Sequence, residues 1–190
     1  YSFIYPGAGY GGSCFPKDVK ALTKIAIENG YTAELITAVE QVNDAQKLVI
    51  AQKIVKRFGE DLTGYSFGIW GLAFKPDTDD IREAPSLYMI DKLTKDGADV
   101  FAYDPEAMSN VQEQIGSKIE YASDPYDALN NADALVICTE WSVFRTPDFD
   151  DVIKRLKKSV IFDGRNLYSP DKIERLGFYY KSIGRKTITR

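Results

Sequence analysis

The chain has 190 residues, of which 44% are hydrophobic and 27% charged, with a formal net charge of −4; this is the profile of a globular protein with a sizeable core. Lysine and arginine are scattered and the pI is near 5.0, so the electrostatic footprint of a nucleic-acid binder is missing. The absence of histidine excludes Ser-His-Asp and Cys-His catalysis within this chain and leaves Asp, Glu, Lys, Tyr or an ordered water as general base.

No apolar run reaches membrane length and no signal peptide precedes the first motif, so a soluble, cytoplasmic protein without a membrane partner is the expectation. The two cysteines, Cys14 and Cys138, lie far apart with no metal-ligand spacing, and a cytosolic setting disfavours a disulfide between them. The sequence opens on Tyr1 and the densest motif follows almost at once, which reads as a piece of a longer protein.

Residues 1–12 read as an aromatic and glycine-rich loop with Pro6-Gly7 as a turn signal. Phe3, Tyr5 and Tyr10 in it suit either stacking on a flat base or covering a core edge. Gly9 to Asp18 (GYGGSCFPKD) packs three glycines, a cysteine, a lysine and an aspartate ahead of a helix. Pro16 suits the first helical position. Cys14 then stands where unpaired N–H groups and the positive end of the helix dipole favour a thiolate, with Lys17 adding to the effect. Asp18 follows Cys14 by four residues, one helical turn away if the turn already exists at Cys14. A carboxylate there is able to orient water or relay a proton. A buried cysteine beside a glycine-rich turn is the structural alternative.

The first helix runs from Pro16 to about Asn29, where Asn29-Gly30 ends it. A second, longer helix spans about Ala33 to Phe58, with Leu35, Val39, Val42, Leu48, Ile50, Ile54 and Val55 as its apolar positions; helices of that length bridge domains or dimerise, and an apolar stripe argues for a partner.

After Gly59 the pattern becomes alternating strand and helix. Strands are expected at Ser66 to Phe74, Asp99 to Tyr103, Ile119 to Tyr121, Ala134 to Cys138, Val160 to Asp163 and Phe178 to Tyr180; helices at Pro85 to Asp96, Tyr126 to Asn130, Phe149 to Leu156 and Pro170 to Leu176. The alternation implies an α/β fold: a helical segment (1–58) followed by a Rossmann-like, doubly wound parallel sheet (59–190). Ligands of such sheets bind at the carboxyl ends of the strands, which singles out Lys75, Arg82, Asp104, Thr139-Glu140-Trp141 and Gly164-Arg165. Two arginines and a lysine on one rim suit a phosphorylated ligand; ordinary surface charge is the competing reading. The first strand-to-helix turn, Gly68 to Phe74, lacks G-x-G-x-x-G, so NAD is not expected there in the usual way.

The blocks GYGGSCFPKD, GLAFKPDTDDIREAPS, YDP, ALVICTEW and FDGRN, in this order, resemble the UDP-glucose 6-dehydrogenase family of nucleotide-sugar dehydrogenases over nearly the whole chain. The resemblance implies three parts: an NAD-binding Rossmann domain, a connecting helix that forms the homodimer, and a Rossmann-like domain that holds UDP. This chain matches the last two. The family oxidises UDP-glucose to UDP-glucuronate with two NAD+; relatives act on GDP-mannose or UDP-N-acetylhexosamines. By the same resemblance, Cys14 is the nucleophile that carries a thiohemiacetal and then a thioester, and Asp18 assists the hydrolytic water. Tyr5, Pro6, Gly7, Ala8, Gly9, Tyr10 and Gly11 match the loop that closes on the UDP-sugar. Phe74, Lys75 and Arg165 match substrate-contacting residues. Arg82 matches an arginine that reaches NAD, and Cys14, Phe15, Pro16 and Lys17 lie where the nicotinamide passes. A catalytic lysine, an asparagine and a glutamate belong upstream of Tyr1. Without them, the chain alone is expected to be an inactive binding and dimerisation module.

Overall fold

The structure, a computed structural model, describes residues 5–189; Phe3, one of the three aromatics assigned to the first loop, lies outside them. Helix α1 (Phe15–Glu28) carries a proline in its first turn and ends at Asn29 and Gly30, whose φ of 74° needs no side chain. The single helix expected over 33–58 is two helices, α2 (Glu34–Lys47) and α3 (Val49–Phe58), parted at Leu48. At the break the Leu48 N–H reaches the Ala45 carbonyl, an i→i−3 bond of 3.2 Å. The two halves answer to different partners. Lys47 turns inward to a carboxylate on another loop, while Ile50, Ala51 and Ile54 bury an apolar stripe on the sheet.

The other apolar positions of these helices are not covered. Helix α1 buries only Pro16. Leu22, Ile25 and Ile27 on α1 and Leu35, Val39 and Val42 on α2 stand exposed, Leu35 at 78% and Val42 at 67%.

Beyond Gly59 the chain builds one sheet in which every neighbouring pair is parallel, in the order β3-β2-β1-β4-β5-β6. The strands are β1 (Ser66–Trp70), β2 (Asp99–Tyr103), β3 (Glu120–Tyr121), β4 (Ala134–Ile137), β5 (Val160–Asp163) and β6 (Tyr179–Ser182). The order reverses between β1 and β4, which sets the topological switch point there. Strand β1 ends four residues earlier than expected because Gly71 turns at φ 95° and its N–H donates to the Tyr103 carbonyl (2.9 Å). Strand β4 stops at Ile137, and β6 starts one residue late because Tyr179, not Phe178, pairs with Val160.

Helices α4 (Pro85–Lys95), α6 (Phe149–Arg155) and α7 (Pro170–Arg175) fall where the sequence predicts them, α6 capped by Asp148 accepting from the Asp150 and Asp151 N–H groups. Residues 126–130, expected as a short helix, make only a 3₁₀ turn (Asp127–Leu129). Helix α5 (Met108–Ile115) is not anticipated; its cue, Met108, Val111 and Ile115 on one face, is short, and only Val111 is buried. Alternate residues of the central strands feed two separate cores. Phe67, Ile69, Val136 and Phe162 face one, with α3 and α4; Trp70, Leu135, Ile137 and Ile161 face the other, with α6 and α7. Strands buried on both faces leave only their ends for chemistry.

Candidate active site

The rim after β1 is fixed by a buried carboxylate. Asp104, at the end of β2, accepts from the Leu72 N–H (2.6 Å), the Ala73 N–H (3.1 Å) and Trp141 Nε1 (3.0 Å). The rim residues Asp104, Thr139 and Trp141 are therefore scaffold. A Cβ on Gly71 would collide with Thr139, so this turn is closed by protein and offers no phosphate cradle.

Asp163, at the end of β5, does the same for the neighbouring loop. It accepts from the Arg165 N–H (2.8 Å), the Leu167 N–H (2.7 Å) and the Tyr180 hydroxyl (2.7 Å). Burial pushes its carboxyl upward against those bonds. The Arg165 side chain then lies across the rim, donating from Nε to the Cys138 carbonyl (2.7 Å) and from Nη2 to the Phe74 carbonyl (3.0 Å). Glu140 Oε2 lies 3.1 Å from Arg165 Nε. That N–H is directed to the carbonyl, which leaves Oε2 buried without a hydrogen bond.

The Cys loop lies directly on this rim. A Cβ on Gly7 would come within 3.0 Å of Arg165 Nη1, and one on Gly164 within 3.2 Å of the Ala8 Cβ. Further along, a Cβ on Gly12 would meet the Phe74 ring at 2.8 Å, and one on Gly11 would overlap the Glu83 carbonyl oxygen. The Gly12 N–H donates to the Arg82 carbonyl (2.7 Å). Glycines occur here because backbone meets backbone and ring with no room for a side chain. From the other side α2 grips the loop: the Tyr10 N–H donates to Asn43 Oδ1 (2.8 Å), Asn43 Nδ2 to the Tyr10 carbonyl (3.1 Å), and Gln46 Nε2 to the Gly7 carbonyl (2.6 Å).

Cys14 follows this clamp. Its backbone is already helical (φ −92°, ψ −64°) and its carbonyl accepts from the Asp18 N–H (2.8 Å), so the turn that sets Asp18 one turn from Cys14 is formed. The thiol is exposed and free, with Ser13 Oγ 3.6 Å from Sγ, whereas Cys138 is buried and its thiol is pushed up to about 12 by burial. Asp18 and Lys17 are exposed, 3.9 Å apart. Phe15 is exposed and packs its ring edge-on to Tyr10 at 4.7 Å; Pro16 is buried.

Arg82 stands exposed beside this turn, paired with Asp80 through Nε (2.9 Å) and Nη2 (2.8 Å), bonds that raise its guanidinium above its ordinary value. The Arg82 guanidinium holds the Asp80 carboxyl below its usual range. Lys75 is exposed, its Nζ 5.3 Å from the Phe74 ring centre. Tyr5 and Pro6 are exposed, and among the described residues neither hydrogen-bonds to the rim.

Sequence reasoning passed over the polar residues that join these pieces: Asn43, Gln46 and Lys47 on α2, and Glu83. Glu83 accepts from Lys47 Nζ (2.7 Å), the Tyr88 hydroxyl (2.6 Å) and Lys20 Nζ (2.9 Å), and those bonds bring its carboxyl down to about 2. The cue was weak: Asn43, Gln46 and Lys47 recur at i, i+3, i+4, but Gln46 continues the line of Leu35, Val39 and Val42, so the polar group borders the apolar stripe instead of forming a face of its own.

The chain matches two family models, the UDP-binding domain of the UDP-glucose/GDP-mannose dehydrogenase family over residues 68–170 and the central domain of that family over residues 1–45. A UDP-glucose 6-dehydrogenase of Pseudomonas aeruginosa is 44% identical over 188 residues, 96% of this chain and 42% of that protein. Among solved structures, a UDP-glucose dehydrogenase of the archaeon Pyrobaculum islandicum superposes with a TM-score of 0.79 at 32% identity, covering 92% of this chain and 38% of that one. An NDP-N-acetyl-D-galactosaminuronic acid dehydrogenase of Methanosarcina mazei gives 0.78 at 29% identity, covering 96% and 40%. The chain thus spans about two-fifths of the length of the proteins it matches. With a UDP-binding-domain match over the sheet and a central-domain match over the Cys loop and helices, the chain belongs to the UDP-glucose/GDP-mannose dehydrogenase family.

Proposed function

We propose that this chain is the thiol-bearing and nucleotide-sugar-binding part of a longer NAD-dependent dehydrogenase that oxidises UDP-glucose to UDP-glucuronate. The observation that carries the reading is the seating of the Cys loop on the strand ends: Gly7 and Ala8 against Arg165 and Gly164, Gly11 and Gly12 against Phe74 and residues 82–83. A nucleotide sugar held at that rim by Lys75, Arg165 and the backbone of residues 5–11 has its sugar end directed to Cys14.

In this division of labour residues 1–58 form the Cys loop and the helical dimerisation segment, and residues 59–190 form the UDP-sugar-binding domain. The exposed apolar residues of α1 and α2 support pairing with a second copy. A cytoplasmic location, where the thiol stays reduced, goes with the same reading; no described helix is long and apolar enough to cross a membrane.

The chemistry asked of the chain is nucleophilic. The C6 alcohol first gives up a hydride and a proton to become the aldehyde; the Cys14 thiolate adds to that carbon, and the oxygen takes up a proton to give a thiohemiacetal. Loss of a hydride and a proton leaves a thioester. Water held by Asp18 then adds to the acyl carbon, the C–S bond breaks, and the carboxylate and the Cys14 thiolate are released. NAD+ supplies the hydride acceptor for both oxidations. The residues here fit that cofactor as a rim and not as a cradle: the β1 turn is filled by Thr139, while Arg82, Phe15 and Lys17 are exposed beside Cys14. They suit contact with a cofactor held by an upstream domain.

The test uses the longer protein that carries this chain. UDP-glucose is expected to drive NAD+ reduction, two equivalents per carboxylate formed. Reduction with GDP-mannose or a UDP-N-acetylhexosamine but not UDP-glucose would reassign the substrate and leave the role of Cys14 intact. For the chain on its own, calorimetry is expected to show UDP-glucose binding without turnover; no heat at millimolar ligand defeats the binding-module reading.

A further inference from the structure

We propose that Glu83 is a positioning residue for Cys14, holding the thiol-bearing turn in register with the nucleotide-sugar rim through contacts on both sides of it. The inference rests on the role of Cys14 proposed above.

Glu83 is one of four described non-glycine residues with positive φ (55°), a conformation that costs free energy and persists only where the surroundings impose it. Its backbone meets the loop ahead of Cys14: its carbonyl fills the space a Gly11 side chain would need, and the preceding Arg82 carbonyl accepts from the Gly12 N–H. Its carboxylate grips the chain behind Cys14, taking a hydrogen bond from Lys20 of α1 at 2.9 Å. The thiol and Asp18 are thereby bracketed from both ends by one residue of the substrate-side loop.

The same carboxylate is anchored to two further helices, at 2.7 Å to Lys47 of α2 and at 2.6 Å to the hydroxyl of Tyr88 of α4. Lys47 is only 2% exposed and lies 4.1 Å from the centre of the Tyr88 ring, with Asp44 3.5 Å from its Nζ. With Lys47 buried and Glu83 28% exposed, the charged pair holds an advantage over a protonated Glu83 but little over a packed apolar pair, because desolvation of the ammonium offsets the attraction. What it provides is a single geometry. Asn43 and Gln46, on the same face of α2 as Lys47, clamp Tyr10 and Gly7, so the helix that holds the loop is locked to the residue that faces it. Among the described residues no hydrogen bond joins this network to the Cys14 thiol, so its effect on the thiol is one of placement.

The test is made in the longer protein. Glu83→Gln is expected to lower kcat by about 10- to 100-fold while KM for UDP-glucose stays within about threefold, the pattern of a misplaced nucleophile on an intact substrate rim. Lys20→Met, which removes only an exposed arm, guards against a Glu83 variant that fails to fold; its kcat is expected to drop by about three- to tenfold. A second readout needs no substrate assignment: the rate at which iodoacetamide alkylates Cys14, the exposed thiol, is expected to change at least about threefold in both variants. If the wild type oxidises no nucleotide sugar, the proposed function fails while alkylation still decides the role of Glu83. Wild-type kcat in folded Glu83→Gln, a loss confined to KM, or unchanged alkylation in both variants overturns the proposal.

Discussion

Asn43 holds Tyr10 by both backbone groups, accepting from its N–H at 2.8 Å and donating to its carbonyl at 3.1 Å. The residue is 6% exposed, so neither bond is readily replaced by water. Asn43→Asp keeps the acceptor but turns a second oxygen toward the Tyr10 carbonyl. Unfolding in urea is expected to show a loss of about 1–3 kcal/mol, the cost of a buried polar group left unpaired. In the longer protein the same variant is expected to raise KM for UDP-glucose, because Gly7 to Gly11 would no longer lie flat on Arg165 and Phe74. A variant as stable as wild type would mean that the clamp is decorative.

Cys14→Ser separates thioester chemistry from other routes to the acid. A serine hydroxyl offers no comparable anion near neutral pH, so net oxidation in the longer protein is expected to fall by orders of magnitude. Asp18→Asn removes the carboxylate one turn away, whose backbone N–H is bonded to the Cys14 carbonyl at 2.8 Å. Deacylation is expected to slow until an acyl adduct on Cys14 accumulates. Intact-protein mass spectrometry during turnover reads that adduct directly, and its absence counts against the assigned role of Asp18.

Much of this arrangement was legible in the sequence. Runs such as Ala134 to Ile137 and Val160 to Asp163 carry no polar residue facing either core until Asp163 ends the strand, which marks a parallel sheet covered on both faces. The glycines ahead of Cys14 marked a loop, but their packing against the Glu83 carbonyl and the Phe74 ring is a contact across the fold that the local sequence does not carry. The break at Leu48 was not legible, because 33–58 is a continuous helical pattern and the change of partner that accompanies it, Lys47 bonded to Glu83 36 residues away and Ile50, Ala51 and Ile54 buried on the sheet, is set by tertiary contacts. Helix α5 escaped because one buried residue, Val111, gives too little periodicity to read. The network of Asn43, Lys47 and Glu83 was passed over because local pattern says nothing about which polar groups meet across the fold. Such pairings are tertiary facts.

The uncovered stripe on α1 and α2 supplies a prediction about assembly. Leu35 is 78% exposed and Val42 67%, two turns apart on one helix, and burying both against a partner contributes about 1.5–3 kcal/mol per side chain. On the proposed pairing through this stripe, the wild type is expected to sediment as a dimer and the double variant Leu35→Asp/Val42→Asp as a monomer, without loss of helical circular dichroism. An unchanged sedimentation coefficient would place the pairing surface elsewhere, or deny it.

The ion pair of Lys47 and Glu83 makes stability depend on pH at both ends. Glu83 is bonded to Lys47, Tyr88 and Lys20, and its carboxyl falls from 4.5 to about 2 on folding. A carboxyl depressed in the folded state contributes stability that is fully present above its unfolded value and drains away as pH falls toward the folded one. The window is therefore about pH 5 down to about 2. With the carboxylate 28% exposed, the contribution is on the order of 2–3 kcal/mol. Lys47 runs the other way: burial lowers its ammonium, but the bonds to Glu83 outweigh burial and the net direction is upward. Its contribution is complete below the ordinary lysine value and is lost as pH rises through the raised one. Because acid unfolding has many contributors, the quantity to measure is the stability gap between wild type and Glu83→Gln in urea. That gap is expected to be widest near neutral pH and to narrow steadily between about pH 5 and 3. A gap independent of pH across that range would show that Glu83 is not held as a low-lying carboxylate by its three donors.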